Sequence, residues 1–249
     1  QGAAVEIDAD GKPFTDEHAS RMRLMPSVVE LDLGRTQLSD RGLAHLAEAV
    51  GLQKLTLRYT NVTGDGIASL ATLSSLEHLN LQGTQIGDDD LRLLGQMASL
   101  RILSVEKTRV SDKGLSSLRG LANLETLYLG DCRAHGQGLE YLAELPQLKY
   151  LSLRGLALSD ESVAPLAVCT RLEYLGLDET PLTDDALIYR KQLPNLRVLW
   201  LTGTSIGDGG LKHLADFPAL EKLYIRGTQV TTEGATRLRE SLPKLDLTH

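Results

Sequence analysis

Few residues in this chain have the types and spacing that chemistry needs. His78, Ser104 and Glu106 are the types of a nucleophilic triad, separated by 26 and 2 residues. A triad also needs mutual hydrogen bonds and an oxyanion site, and nothing in the spacing supplies either. Asp88, Asp89 and Asp90 form a carboxylate run, but without the alternating ligand spacing of a calcium loop. Cys132 and Cys169 are the only cysteines, and they give neither a disulfide framework nor a zinc pattern. His45 and His213 have no second ligand nearby in sequence. No catalytic, metal or cofactor residue is therefore assigned. The other residues with recognition chemistry are aromatic: Tyr128, Tyr150, Tyr174, Trp200 and Tyr224.

What positions those rings is a repeat. Leu76 to Leu100 reads LEHLNLQGTQIGDDDLRLLGQMASL. Its first position recurs at Val28, Leu52, Leu76, Leu100, Leu124, Leu148, Leu172, Leu196 and Leu220, always 24 residues apart. Each copy has a short strand with alternating leucines, a turn, and a segment with apolar residues spaced for one buried helix face. The remaining 10–12 or so residues allow a short α-helix of about two turns. Strands joined by such crossovers must run parallel. The expected organisation is one domain over 1–249: a degenerate cap at 1–27, nine repeats at 28–243 and a C-terminal cap at 244–249. In the first cap Ile7 and Phe14 take the places of Leu31 and Leu38. HASRMRLM follows as its helix, with Ala19, Met22 and Met25 at apolar positions. Leu245 and Leu247 offer a last strand.

The ninth position is threonine at Thr36, Thr60, Thr84, Thr108, Thr180, Thr204 and Thr228, with Cys132 and Leu156 departing. A short polar side chain there satisfies buried backbone groups, repeat to repeat. Cys132 belongs to this column and is expected to be buried and inert. Cys169, in a leucine or methionine column, is expected to be the same. Three residues on come Ser39-Asp40, Ser111-Asp112, Ser159-Asp160 and Thr183-Asp184, with Gly87-Asp88 and Gly207-Asp208 as variants. Serine or threonine suits a helix N-cap and aspartate the first turn.

The units DLGRTQLSDRGLAHL, LQGTQIGDDDLRLL, LTGTSIGDGGLKHL and IRGTQVTTEGATRL resemble leucine-rich repeats. The T-x-[IVL]-[ST]-D-x-G-L turn is similar to the cysteine-containing type of F-box substrate adaptors. The uniform 24-residue length, with Thr for Cys, looks more like short bacterial versions. The resemblance covers essentially the whole chain. It implies an α/β solenoid: a right-handed horseshoe with a parallel concave β-sheet and helices on the convex side. It also implies a non-enzymatic scaffold that binds a protein through the concave sheet. No F-box-like segment stands ahead of the repeats. A structural or self-associating module, or an adaptor subunit, is the alternative.

Outward strand positions alternate with buried leucines. They read Glu30, Lys54, His78, Ile102, Thr126, Tyr150, Tyr174, Val198 and Lys222 in one row. The next row is Asp32, Thr56, Asn80, Ser104, Tyr128, Ser152, Gly176, Trp200 and Tyr224. The third is Gly34, Arg58, Gln82, Glu106, Gly130, Arg154, Asp178, Thr202 and Arg226. Aromatics make up only 4% of the chain, yet five fall on this face on five successive strands. Packing does not demand them there, although rings on a tightly curved sheet also fill space against each other. The expected partner site is Tyr128, Tyr150, Arg154, Tyr174, Asp178, Trp200, Lys222, Tyr224 and Arg226. The other end carries Glu6, Asp8, Asp10, Glu30 and Asp32, a polar cap or a docking patch for a basic partner. Net charge is −7, which argues against a general nucleic-acid binder. No apolar run is long enough to span a membrane. A protein partner and a monomeric state are expected. The chain starts at Gln1, so an upstream segment is expected to have been removed or omitted; whether it held an export signal, like the compartment, is not legible.

Overall fold

A computed structural model describes residues 4–22, 25, 27–190, 193–215 and 217–248. The chain forms two compact units, 1–124 and 125–249. In the first, strands β1 (Val5–Asp8), β2 (Val28–Asp32), β3 (Lys54–Thr56), β4 (His78–Asn80) and β5 (Ile102–Ser104) pair in chain order, all parallel. In the second, β6 (Thr126–Tyr128), β7 (Tyr150–Ser152), β8 (Tyr174–Gly176), β9 (Val198–Trp200), β10 (Lys222–Tyr224) and β11 (Asp246–Thr248) do the same. Register is offset by one repeat throughout, so Leu55 pairs with Leu79 and Leu175 with Leu199. Both units have the architecture of an α/β solenoid.

The core follows from the leucine spacing. In the repeat that starts at Leu76, six residues are at most 1% exposed: Leu76, Leu79, Leu81, Ile86, Leu91 and Leu94. Each such side chain contributes about 1.5–3 kcal/mol by leaving water. The eighth position turns the chain out of the strand, and its backbone is left-handed in every copy. Gly83, Gly155, Gly203 and Gly227 occupy it freely, but so do Arg35, Tyr59, Lys107, Asp131 and Glu179, at φ of 54–58°. The ninth-position threonine then bonds within its own repeat. Thr84 Oγ1 donates to the Leu81 carbonyl at 2.6 Å, and Thr36, Thr60, Thr108, Thr180, Thr204 and Thr228 do the same three residues back. The expected repeat-to-repeat contact is thus corrected: the buried carbonyl that needs a donor is one turn upstream.

The helical side departs further. Helices α1 (Asp16–Ser20), α2 (Asp40–Leu46), α3 (Gly64–Ile67), α4 (Asp88–Leu94), α5 (Asp112–Leu115), α6 (Asp208–Leu214) and α7 (Thr232–Ser241) are α-helical. Gln137–Glu144, Glu161–Val168 and Asp184–Arg190 are 3-10 helices instead, and α3 and α5 continue as 3-10. Pro165 lies inside one of these, where it removes an N–H, and left-handed Gly136 (φ 101°) opens another. Helix α1 ends at Ser20, and Met25, expected at an apolar helix position, is exposed. Arg23 and Leu24 of that expected helix lie outside the described residues. Cys169 is buried, but Cys132 is only half-buried, although Thr36, Thr60, Thr84, Thr108, Thr180 and Thr204 of its column are buried.

The Ser/Thr-Asp pairs work within a repeat, where Ser111 Oγ accepts from the Lys113 N–H at 3.4 Å, and also between repeats. Asp16 accepts from the backbone N–H and hydroxyl of Ser39, at 2.9 and 2.6 Å. Asp40 holds Thr63, Asp88 holds Ser111, Asp160 holds Thr183 and Asp208 holds Thr231 in the same two-bond way. Each carboxylate therefore sits at the helix start of the following repeat, where unpaired N–H groups and the helix dipole favour negative charge. The glycine of D-x-G-L makes the room: a methyl at Gly114 would meet Asp88 Oδ1 at 2.6 Å, and at Gly210 Asp184 Oδ1 at 2.7 Å.

Candidate partner-binding face

The rings of the second unit form one connected group. Centroids of Tyr128 and Tyr150 are 5.0 Å apart, and those of Tyr150 and Tyr174 are 5.9 Å apart. Trp200 stacks on Tyr224 at 5.7 Å with only 7° between planes, and lies 6.0 Å from Tyr150. That last contact reaches across β8, which straight projection from the sheet would not allow. The small residues beneath permit it. Ser152, Gly176 and Trp200 share one register row, and Ser152 and Gly176 are buried. The rings lie over this floor and leave all five half-exposed. They stack on each other and remain presented to solvent.

The outward rows are consequently not uniformly open. Thr56, Ser104, Ser152 and Val198 are at least nine-tenths buried, because short side chains lie between longer ones. Val198, for example, sits in register between Tyr174 and Lys222.

Of the charged residues expected at this site, Lys222 and Arg226 are exposed. Arg154 is tied to Glu179 at 2.7 Å. Asp178 is half-buried and accepts from the Thr202 N–H at 3.2 Å. Burial pushes its carboxyl above the ordinary range, outweighing the Thr202 hydrogen bonds and the charge of Arg154.

In the first unit, Glu6 stands beside Glu30 and Asp8 beside Asp32, the register expected from the repeat. Lys54 pairs with Glu30 at 3.1 Å, and Arg58 and Arg35 both bond Asp10. Arg35, with Arg58 beside it, holds the Asp10 carboxyl below the usual carboxylate range. The acidic end is thus partly compensated. Ser104 Oγ is buried with no hydrogen-bond partner, so His78 does not engage it. Gln82 lies 3.4 Å from Glu106. Among the described residues no group of His, Cys, Asp and Glu could hold a metal ion. No described helix is long and apolar enough to cross a membrane.

One feature escaped the reading of strand faces. The position just before the first outward row alternates in sign from Glu77 to Glu221, and neighbouring members pair. In the first unit Arg101 meets Glu77 at 3.5 Å. In the second Lys149 meets Glu125 at 2.9 Å, and Arg197 meets both Glu221 at 2.9 Å and Glu173 at 3.8 Å. Aligning the repeats in 24-residue rows exposes this ladder in the sequence. Arg197 and Glu221 also border a cleft of about 790 Å³ floored by Phe217, Leu220 and Leu245.

A family profile described as leucine-rich repeat matches residues 72–95 and 192–215. The crystal structure of an internalin, InlF, from Listeria monocytogenes matches with a TM-score of 0.62 at 18% identity, covering 92% of this chain and 76% of the internalin chain. These segments are leucine-rich repeats, and the chain has the fold that such repeats build. No curated protein matches it by sequence. At that identity the internalin likeness shows the fold, and the two matched segments are whole 24-residue repeats in phase with the leucine spacing.

Proposed function

We propose that this leucine-rich-repeat protein is a non-enzymatic scaffold that binds a protein partner on the open sheet face of its second unit. Trp200, Tyr174 and Tyr224 are the anchors, with Tyr128 and Tyr150 extending them. Arg154, Asp178, Lys222 and Arg226 are the polar surround. The observation that carries this reading is the ring cluster itself. Five of the chain's few aromatic residues converge on solvent-facing strand positions, half-exposed, while leucines fill the core. Amphipathic rings at the centre of a patch, with charges at its margin, are the composition of binding hot spots. The resemblance to leucine-rich-repeat binders supports the same assignment.

Co-precipitation with four baits tests it: wild type, Trp200→Ala, Tyr174→Ala and the helical-side control Glu161→Ala. The partner should be captured by wild type and Glu161→Ala and lost from both ring variants. Capture that survives both ring changes and fails with Glu161→Ala would move the site to the helical side. A monomeric state is part of the proposal. Light scattering after size exclusion should return one chain's mass, and a stable dimer would favour self-association instead.

A further inference from the structure

Asp178 stands on the outward side just beyond β8, in line with Tyr174 and Gly176. Its Oδ1 accepts from the Thr202 N–H. Its Oδ2 leans back toward Gly176, since a methyl added at that glycine would sit 3.7 Å away from it. Gly176 lies in register between Ser152 and Trp200, so this oxygen faces the floor that the rings cover. Arg154, whose charge reaches Asp178 through space, has its guanidinium engaged by Glu179. Among the described residues Asp178 makes no salt bridge. The site therefore combines a half-buried carboxylate with the electron-rich faces of Tyr150, Tyr174 and Trp200.

Aromatic faces and a carboxylate attract the same kind of group, a cation. Resting on the reading that this face receives a protein, we infer that the partner inserts a cationic side chain, an arginine, over Tyr150, Tyr174 and Trp200, with Asp178 as its counter-ion. Arginine fits better than lysine because a planar guanidinium stacks on a ring while its edge donates two bonds to a carboxylate. Local charge agrees. Arg154 and Glu179 neutralise each other, which leaves Asp178 uncompensated on the β8 side of the rings, with Lys222 and Arg226 at the β10 margin. Lys222 lies on β10 and Arg226 just past it, one strand from Trp200 and two strands, about 10 Å, from the strand that leads to Asp178. At that distance they bound the site without filling it, since exposed charges are largely screened there.

Trp200 is the only tryptophan, so its indole N–H gives one resonance in a nitrogen-edited spectrum. The probes are Nα-acetyl-arginine amide and Nα-acetyl-citrulline amide, which share a shape and differ in charge. The arginine probe should shift the Trp200 resonance saturably, and the citrulline probe should bind about tenfold more weakly. Asp178→Asn, which keeps an acceptor for Thr202, should reduce the arginine probe to the citrulline level. Equal binding of the two probes, no shift with either, or an unchanged arginine response in Asp178→Asn would overturn the inference. The contrast between probes on wild type decides it even if the variant does not fold. Partner capture that is lost in Trp200→Ala while the probes behave alike would leave the binding face standing and remove the arginine. A charge-selective probe response with partner capture unaffected by Trp200→Ala would do the reverse.

Discussion

Thr84 and Ser104 carry the same kind of group in opposite circumstances. The Thr84 hydroxyl donates to the Leu81 carbonyl, which also accepts the Thr84 N–H at 3.1 Å. Thr84→Val keeps the shape and removes one of two donors, so urea melts should show a loss of about 1 kcal/mol. No loss would mean that the hydroxyl does not serve the carbonyl. Ser104 Oγ is buried and bonds nothing, so Ser104→Ala should leave stability unchanged or raise it by up to about 1 kcal/mol. A clear loss would show a partner for that hydroxyl. The threonine column was legible as a buried polar position because it recurs every 24 residues. Its acceptor was not, because spacing alone does not tell a bond to the same repeat from one to the next. Ser104 was placed with the outward residues by alternation, and only packing shows that it is covered.

At the scale of the element, two features of the turn set the stability of each repeat. The first is the left-handed eighth position. Lys107 occupies it at φ 54° and is exposed, so glycine should relieve the strain without losing a contact. Lys107→Gly is expected to raise stability by about 0.5–1 kcal/mol, the relief being partly offset by a freer unfolded chain. A decrease in the thermal midpoint would contradict this. The second feature is the aspartate that caps the next helix. Backbone and side-chain bonds from Thr231 hold the Asp208 carboxyl below its ordinary value. A lowered folded value means that its contribution is complete above the ordinary carboxylate range and drains away as pH falls through the lowered one. Asp208→Asn should therefore lower the melting temperature at neutral pH and narrow the gap to wild type in strong acid. Parallel melting curves across that range would contradict the assignment. Ser/Thr-Asp was legible as a helix start. That the carboxylate serves the following repeat was written in the glycine of D-x-G-L, which only the neighbour's Asp explains. The 3-10 segments were less legible, since apolar spacing over two turns fits either helix, and only Pro165 signalled the change.

For the molecule as a whole, leucines at 24-residue spacing specify the solenoid almost completely, because one buried face per strand and one per helix leave a single way to stack. The proposed recognition surface was legible in outline. The rings stand on the strands that alternation assigned them, but their lateral stacking over Ser152 and Gly176 depends on three-dimensional neighbours. That stacking alters one expectation about mutants. Trp200→Ala removes contacts with Tyr224 and Tyr150, so it should cost about 1–2 kcal/mol of stability, less than the 2–5 or so of a core leucine. The binding claim is tested most directly by calorimetric affinity of the captured partner for wild type, Trp200→Ala and Glu161→Ala, each confirmed folded by its melt. The account predicts that Trp200→Ala weakens binding about thirtyfold or more while Glu161→Ala matches wild type. Wild-type affinity in a folded Trp200→Ala protein would contradict it.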